Sequence, residues 1–215
     1  MPDRPSEPID LRHAATDRAL VVVVPSRRLL AIDGVGSPQA DDYELATRTL
    51  RTVGEAIHGR LVRRHANVAG IGPIECAWWT HPEVPPDDVP TAFMDRSVWH
   101  WQQMLEVPSG ATQDEIAASI DETRRAAARE QPLVRVIEIE EGRAAQILHV
   151  GSPKTESASI RKLYDAVAEA GLRPSGHLHQ IMIADPRHVP LERARWILRL
   201  PVEMAAVERG VAPTG

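Results

Sequence analysis

Tryptophan is concentrated in one stretch of this 215-residue chain, and a single carboxylate accompanies it. Four of the five tryptophans form the groups Trp78-Trp79 and Trp99-His100-Trp101, and Glu75 lies in the apolar run that leads into the first pair. Indole faces attract cations, and a carboxylate in the same pocket would supply the counter-charge. This combination predicts a site for a flat, hydrophobic and often cationic small molecule. The alternative is that these tryptophans belong to the core, because tryptophan is highly buried on average.

Composition and charge exclude several classes of protein. Apolar residues make up 43% of the chain and charged residues 26%, which is ordinary for a globular domain. The net charge of −5 without a basic stripe argues against direct binding to nucleic acid or an anionic membrane. One cysteine excludes an internal disulfide, and the apolar run from Ala19 to Pro25 is too short to span a bilayer. No leader opens the chain, so we expect a cytoplasmic protein of bacterial type.

Hydrophobic patterns predict the elements of the first half. Residues 1–18 are polar and proline-rich, which predicts a flexible arm. Aliphatic runs over 19–33 predict a strand that breaks at Pro25-Ser26. Apolar residues at intervals of three or four predict an amphipathic helix over 41–64, and strands follow at about 74–80 and 97–106.

The second half repeats this order of elements. A capping box at Thr112–Glu115 opens a predicted helix over 112–130. Later patterns predict two strands, a helix that stops at Gly171, a third strand and a short segment before Pro201, over residues 133–138, 144–150, 156–170, 178–184 and 191–199. The chain is therefore predicted to be an α+β protein of duplicated strand–helix–strand–strand units, with antiparallel sheets around a central ligand groove.

The predicted domain organisation follows from this duplication. A single ligand-binding domain spans 19–202, and its two pseudo-repeats, at about 19–107 and 133–202, are joined by the helix at 112–130. Residues 203–215 are predicted to form a C-terminal tail. A pocket between two such units is a natural site for a small molecule.

Strand alternation assigns the candidate side chains to faces. It places Glu75 and Trp79 on one face of their strand, with Trp78 on the other, and it places Trp99 and Trp101 together on a face of the next strand. In the strand predicted over 178–184, alternation places Leu178, Gln180 and Met182 on the same face. We expect these three side chains to form a wall of the pocket.

Five segments, taken in order, resemble the GyrI-like small-molecule-binding domain family. They are Leu30–Pro38, Pro73–Trp79, Gln146–Gly151 with the following acid Glu156, His179–Arg187 and Ile197–Val202. Together they extend over about residues 20–202. The resemblance implies a domain similar to the ligand-sensing halves of multidrug-binding transcription activators. In that family the pocket lies between the two halves and is rimmed by aromatic side chains, and a buried glutamate draws in lipophilic cations.

The resemblance also implies other activities for stand-alone members. A subset hydrolyses cyclopropane-bearing DNA alkylators of the yatakemycin type with an aromatic cage, and other relatives are described as gyrase inhibitors. The chain shows no helix-turn-helix pattern, so we do not expect a transcription factor unless another chain supplies the DNA-binding part.

The sequence departs from the family pattern in the segment His179–Arg187. Gln180 stands where the family has glutamate, and Met182 stands where it has tyrosine. A glutamine can form hydrogen bonds, but it can neither neutralise a cation nor act as a general base. Methionine is a flexible gap-filler that suits a promiscuous hydrophobic wall. The Asp185-Pro186-Arg187 segment is predicted to be a turn with an internal salt bridge, and contact between Arg187 and ligand is the alternative.

Metal, cofactor and serine-hydrolase sites are not predicted. A zinc site needs three or four converging ligands, and His177 and His179 share a strand face without a cysteine pair or an HExxH motif nearby. The chain also has no GxSxG elbow.

Two functions from different classes remain open. The favoured hypothesis is a non-catalytic, stand-alone receptor for hydrophobic or cationic small molecules, whose ligand contacts are Tyr43, Glu75, Trp79, Trp99, Trp101, Leu178, Gln180 and Met182. The alternative is a detoxifying hydrolase of cyclopropane-bearing xenobiotics, in which Glu75 positions water as the catalytic residue. A third hypothesis is a regulator that binds a large enzyme such as gyrase, although no residue argues for a particular protein partner.

Overall fold

A computed structural model describes residues 14–64, 68–85, 88–93 and 95–205. Within these residues the chain forms four α-helices, α1 (Asp41–Arg64), α2 (Val89–Ala92), α3 (Gln113–Ala126) and α4 (Glu156–Glu169). The same residues form nine strands, β1 (Leu20–Val24), β2 (Arg27–Val35), β3 (Ile74–Trp79), β4 (His100–Glu106), β5 (Arg135–Ile139), β6 (Gly142–Val150), β7 (Leu172–Pro174), β8 (Leu178–Ala184) and β9 (Arg195–Met204). None of the described helices is both long enough and apolar enough to cross a bilayer.

The helices begin and end where local sequence signals place them. At α3, Thr112 and Glu115 form the predicted capping box, because each side chain accepts a hydrogen bond from the backbone N–H of the other, at 3.2 and 2.9 Å. The chain leaves α4 at Gly171, whose φ of 67° favours glycine. The long helix α1 buries the apolar stripe that the periodicity predicted, including Leu50 and Ile57.

The strands form one antiparallel sheet in the order β1-β6-β9-β8-β3-β4-β2-β5, with β7 beside the far end of β9. The first half, β2–α1–β3–β4, and the second half, β6–α4–β8–β9, meet where β3 pairs with β8. The predicted antiparallel α+β fold with duplicated units is confirmed, and the sheets of the two halves are continuous.

The sheet curls so that its two ends approach each other. Only Pro25 and Ser26 separate β1 from β2, yet these strands lie near opposite ends of the sheet order. A link of that length spans roughly 10 Å at most. Likewise β5 and β6 are joined by Glu140 and Glu141 alone. Each short leading strand therefore pairs with the other half, β1 with β6 and β5 with β2, and ties the halves together.

The two faces of the curled sheet are different. One face packs against α1 and α4 and contains the largest apolar cluster, with Leu30, Tyr43, Trp78, Trp101 and Trp196. The opposite face is enclosed by the curl and contains a smaller cluster of Leu29, Ala31, Ala77 and Met104. We call these the helix face and the inner face.

The C-terminal region differs from the sequence prediction. The segment predicted over 191–199 is a single 3-10 turn followed by β9, which continues through Pro201 to Met204. Pro201 is tolerated because it lies where the neighbour of β9 changes, from β8 up to Arg199 to β7 from Val202. Residues 203 and 204 of the predicted tail thus belong to a strand, Ala205 follows it, and residues 206–215 lie outside the described residues.

At the other end, the predicted arm over 1–18 falls largely on residues 1–13, outside the described residues. The described part lies along β6, where the Leu148 N–H donates to the Thr16 carbonyl at 2.7 Å. The Gln146 side chain also donates to the Ala14 carbonyl at 3.0 Å.

Candidate functional site

A cavity of about 400 Å³ opens on the helix face where the two halves meet. The first half contributes Tyr43 of α1, Phe93, and the three residues Asp95, Arg96 and Ser97. The second half contributes Gln180 and Met182 of β8 and Trp196 of β9. Aromatic rings and a methionine form the walls, and polar side chains converge at the floor. We call this the central cavity.

Glu156, the first residue of α4, lies beneath the floor of the central cavity and is not itself one of the lining residues. This side chain is 2% exposed, and both of its carboxylate oxygens are engaged. Oε2 forms an ion pair with the Arg96 guanidinium. Oε1 accepts hydrogen bonds from the indole N–H of Trp196 and from the side-chain amide of Gln180. The negative charge of Glu156 is therefore compensated within the chain.

Gln180 links this carboxylate to Trp78, whose ring packs against the wall residues Tyr43 and Phe93. Its Oε1 accepts from the indole N–H of Trp78 at 2.9 Å and from Arg96 Nη1 at 3.1 Å. Its Nε2 donates to Glu156. A glutamate at this position would lack that donor and would place a second carboxylate against Glu156.

Arg96 occupies the aromatic part of the central cavity. Its guanidinium carbon lies 3.8 Å from the Phe93 ring centroid and 4.8 Å from that of Trp78, which is a cation–π geometry. Its Nε also donates to the Phe93 carbonyl at 3.1 Å. The side chain is only 11% exposed. The cation that the aromatic and acidic groups attract is thus supplied by the protein.

The rim contains a second compensated charge. Arg187 Nη2 lies 2.6 Å from Asp185 Oδ2, which confirms the predicted turn with an internal salt bridge. Arg187 Nη1 also bonds Glu44 at 2.7 Å, and the guanidinium carbon lies 5.4 Å from the Tyr43 ring centroid. Burial raises the pKa of Tyr43 well above its ordinary value, so its hydroxyl stays protonated.

The eight residues predicted to contact ligand are not brought together in one cavity. Tyr43, Gln180 and Met182 line the central cavity. A second cavity of about 320 Å³ is lined by Trp79, Trp99 and Leu178. Trp101 lines a third, of about 740 Å³, formed beside α1 and α3. Trp79 itself is stacked between the rings of His100 and His177, with centroids 5.8 and 4.9 Å away.

Glu75 is not among the residues that line these three cavities, all of which are formed by described residues. It lies on the inner face, 2% exposed, in a two-pronged ion pair with Arg27. Burial would raise the pKa of this carboxyl, but His179 and Arg27 beside it hold the pKa well below its usual range. Glu75 is therefore ionised and already paired. Its role as a ligand contact or catalytic group stays a prediction.

The surroundings of Glu75 form a buried ionic group that includes Arg27, Glu141 and Arg199. Arg27 also pairs with Glu141, and Arg199 Nη1 lies 3.5 Å from the same Glu141 oxygen. One ligand atom each from Glu75, Glu141 and His179 lie within 4.8 Å of one another, as metal ligands would. Because two guanidinium groups already compensate both carboxylates, we assign this group to ion pairing between strands.

Sequence reasoning did not identify Arg96, Glu156 and Trp196 as a site. Glu156 matched an acid of the family pattern, which was the available signal for its position. Trp196 is the one tryptophan outside the 78–101 stretch, and strand alternation alone gave it no partner. Arg96 follows a proline-rich segment without periodicity, where sequence patterns give no direction to a side chain.

Comparison with solved structures shows the fold. An uncharacterised conserved protein from Listeria innocua superposes with a TM-score of 0.75 at 24% identity, covering 88% of this chain and 94% of that one. A hydrolase from Listeria innocua gives 0.73 at 23% identity, covering 89% and 95%. The EcmrR C-terminal domain gives 0.52 at 11% identity, covering 87% and 98%. No family model and no curated protein sequence matches the chain.

Proposed function

We propose that this chain is a GyrI-like receptor that captures flat, hydrophobic small molecules in the central cavity. The observation that carries this proposal is the cavity itself, about 400 Å³ between the two halves, with aromatic and methionine walls over a polar floor. Apolar walls with a few converging polar groups are typical of small-molecule sites. Met182 adds a wall that adapts to ligands of different shape.

The state of the polar floor supports binding rather than catalysis. A general base needs a lone pair that can reach a proton, and both oxygens of Glu156 are held by Arg96, Gln180 and Trp196. A charge-compensated floor of this kind can orient a ligand without activating water against it.

Titrating the protein with planar probes and measuring the heat of binding tests the proposal. Ser97 lies on the rim of the central cavity, and its neighbour Val98 is 70% exposed and is not one of the lining residues. We expect saturable, micromolar binding of a neutral tricyclic such as 9-anthracenemethanol, measured by calorimetry. Ser97→Trp should weaken it at least about tenfold by filling the entrance, a loss of ~1.4 kcal/mol. Val98→Trp adds the same ring next to it and should bind like the parent protein.

Two results would contradict a receptor at this place. If no planar probe binds, the cavity is not a ligand site. If Ser97→Trp and Val98→Trp bind equally well, ligands enter elsewhere, and the second cavity with Trp79, Trp99 and Leu178 becomes the candidate. Leu178→Trp would then be the next variant, because that side chain is buried in its lining.

The second candidate is a hydrolase of cyclopropane-bearing xenobiotics, and one observation favours it. The fold is shared with a hydrolase from Listeria innocua. The position of Glu75 on the inner face weighs against the water-positioning role assigned to it, because a substrate in the central cavity would lie across the sheet from it. Incubation with a cyclopropane-bearing alkylator, followed by mass spectrometry, tests this candidate. Product that forms no faster than in buffer rejects it; product whose rate falls in Ser97→Trp but not in Val98→Trp supports it.

A further inference from the structure

We propose that Arg96 sets the charge preference of the central cavity, by filling its cation position from within the chain and leaving the cavity to neutral or anionic planar compounds. This inference rests on the proposed receptor function and names the ligand class of the same site. It departs from the preference for cations that the aromatic residues and the acid would otherwise give.

The cation position of the central cavity is already occupied by Arg96. A lipophilic cation in an aromatic cage needs ring faces and an uncompensated carboxylate. Here the Phe93 and Trp78 rings already lie against the Arg96 guanidinium, at 3.8 and 4.8 Å from its carbon, and Glu156 is paired with it. A cationic ligand would meet a floor whose charge is compensated.

A ligand could displace Arg96 only by breaking several strong contacts. To bind Glu156, a ligand would have to remove Arg96 from its carboxylate, from the Gln180 oxygen at 3.1 Å and from the Phe93 carbonyl at 3.1 Å. Charge-assisted hydrogen bonds are about twice as strong as neutral ones, and a buried guanidinium is costly to leave unpaired. A flat organic cation offers fewer donors than the guanidinium that it would replace.

The charged residues that line the cavity bear on the same preference. The basic side chains that line the cavity are Arg96, Lys154 and Arg187. The acidic ones are Asp95 and Asp185, and Asp185 is held in its salt bridge with Arg187. Because Arg96 and Arg187 are both paired within the chain, the lining offers an anion Lys154 beside two guanidinium groups that are already compensated. It offers a cation Asp95 at the exposed rim, but no uncompensated carboxylate among the aromatic rings.

Three probes of one shape test the charge preference. They are 9-aminoacridine, a cation at neutral pH, anthracene-9-carboxylate, an anion, and the neutral 9-anthracenemethanol. Each is titrated into the parent protein, into Arg96→Met, and into Arg96→Met/Glu156→Gln. The single variant removes the internal cation and uncovers the carboxylate. The double variant removes both charges and keeps a similar shape, so it separates charge from space.

In the parent protein we expect the anion and the neutral probe to bind at least about tenfold tighter than the cation. In Arg96→Met the order should reverse, with the cation gaining about tenfold or more and the anion losing affinity. In the double variant the gain of the cation should vanish, and the three affinities should fall within about threefold. Melting curves of all three proteins establish that each is folded when the probes are added.

The outcomes separate the two proposals. If the probes bind but the parent protein prefers the cation, or Arg96→Met leaves the order unchanged, the role of Arg96 is wrong while the receptor stands. If none of the probes binds to any of the three folded proteins, the receptor function is wrong and the inference falls with it. If the double variant keeps the gain in cation affinity, the effect comes from added space rather than from Glu156, and the charge argument is rejected.

Discussion

The described residues form two buried arginine–glutamate clusters, one on each face of the sheet. The inner cluster consists of Arg27, Glu75, Glu141 and Arg199 and lies inside the curl. The cavity cluster consists of Arg96, Glu156, Gln180 and Trp196 and lies beneath the central cavity. Both compensate a glutamate that is 2% exposed with a guanidinium. Their surroundings differ: the cavity cluster borders the central cavity, while the residues of the inner cluster line none of the three cavities described above.

The elements joined by each cluster explain this difference. The inner cluster connects β2, β3, β9 and the β5–β6 turn, which come together only when the sheet has curled. The cavity cluster connects the loop before β4 with α4, β8 and β9. The first therefore stabilises closure of the sheet, and the second shapes the floor of a site. A buried carboxylate near tryptophans is by itself insufficient to identify a ligand site.

The largest expected effect is on stability, from Glu75→Gln. This change leaves Arg27 buried with one carboxylate fewer, and breaking a buried ion pair lowers the free energy of unfolding by about 3–5 kcal/mol. Urea denaturation followed by circular dichroism measures it. The matched variant Glu156→Gln should lose less, about 1–3 kcal/mol, because Arg96 borders a cavity that water can enter. Equal losses would contradict the division into a closure cluster and a site cluster.

The pH dependence of stability gives the next largest effect. The folded-state pKa of Glu75 is depressed, since His179 and Arg27 outweigh the effect of burial. Its stabilisation is therefore present above the unfolded pKa, about 4.3, and is lost as the pH falls toward the folded pKa. The difference in unfolding free energy between the parent protein and Glu75→Gln should be constant from pH 7 to about pH 5. It should shrink by on the order of 2 kcal/mol by about pH 3.

Comparison with the variant cancels the contribution of the titrating groups that do not contact Glu75, because these groups are common to both proteins. Urea denaturation at a series of pH values supplies the data. A difference that stays constant down to pH 3 would mean that Glu75 is not specifically stabilised as a carboxylate.

Most of the fold could be predicted from the sequence, because its signals are local. The stripe of α1, the capping box at Thr112 and the alternation of β8 each depend on neighbours within a few residues. Alternation also placed Trp78 and Trp79 correctly on opposite faces. The short strand β7 and the path of β9 through Pro201 were missed, because both depend on which strand lies alongside rather than on their own sequence.

The site was less predictable, because it depends on contacts between distant segments. Arg96 reaches Glu156 across 60 positions of the chain, and Trp196 reaches it across 40. Periodicity gives the face of a side chain but not its partner. The charge partner of Glu75 was equally invisible, since Arg27 reaches it from β2 across the intervening strand β4. The sequence therefore predicted that Gln180 and Met182 line the pocket. The partners of Gln180 in the floor could be found only from the structure.

The next effect concerns Gln180, the residue that departs from the family pattern. Gln180→Glu would place a carboxylate against Glu156 with Arg96 shared between them. We expect 9-aminoacridine to bind about tenfold tighter at pH 8 than to the parent protein, a gain of ~1.4 kcal/mol. Each carboxylate raises the pKa of the other, so the gain should fade as the pH drops and the pair retains a proton. Gln180→Met adds no charge and should give no gain; unchanged affinity in Gln180→Glu would show that charge at the floor does not control binding.

The smallest effect is expected at Tyr43. It tests whether the walls of the central cavity provide apolar contact while the floor provides polar contact. The ring is stacked on Trp78 with centroids 5.7 Å apart, and it meets Trp101 edge-on at 5.1 Å. The hydroxyl instead faces the buried Cys76 thiol, whose own pKa is raised by burial to about 12. Tyr43→Phe should therefore lower the free energy of unfolding by at most about 1 kcal/mol, because the hydroxyl is removed while the packed ring is kept.

Binding should respond differently to the same change, because the ring that forms the wall is retained. We expect the affinity for 9-anthracenemethanol to stay within about threefold of the parent protein, measured by the same calorimetric titration. Tyr43→Ala removes the ring as well and serves as the matched variant, with a loss of at least about tenfold. If Tyr43→Phe alone caused the tenfold loss, the hydroxyl would be a ligand contact. The walls would then form polar contacts with the ligand, which we otherwise expect only at the floor.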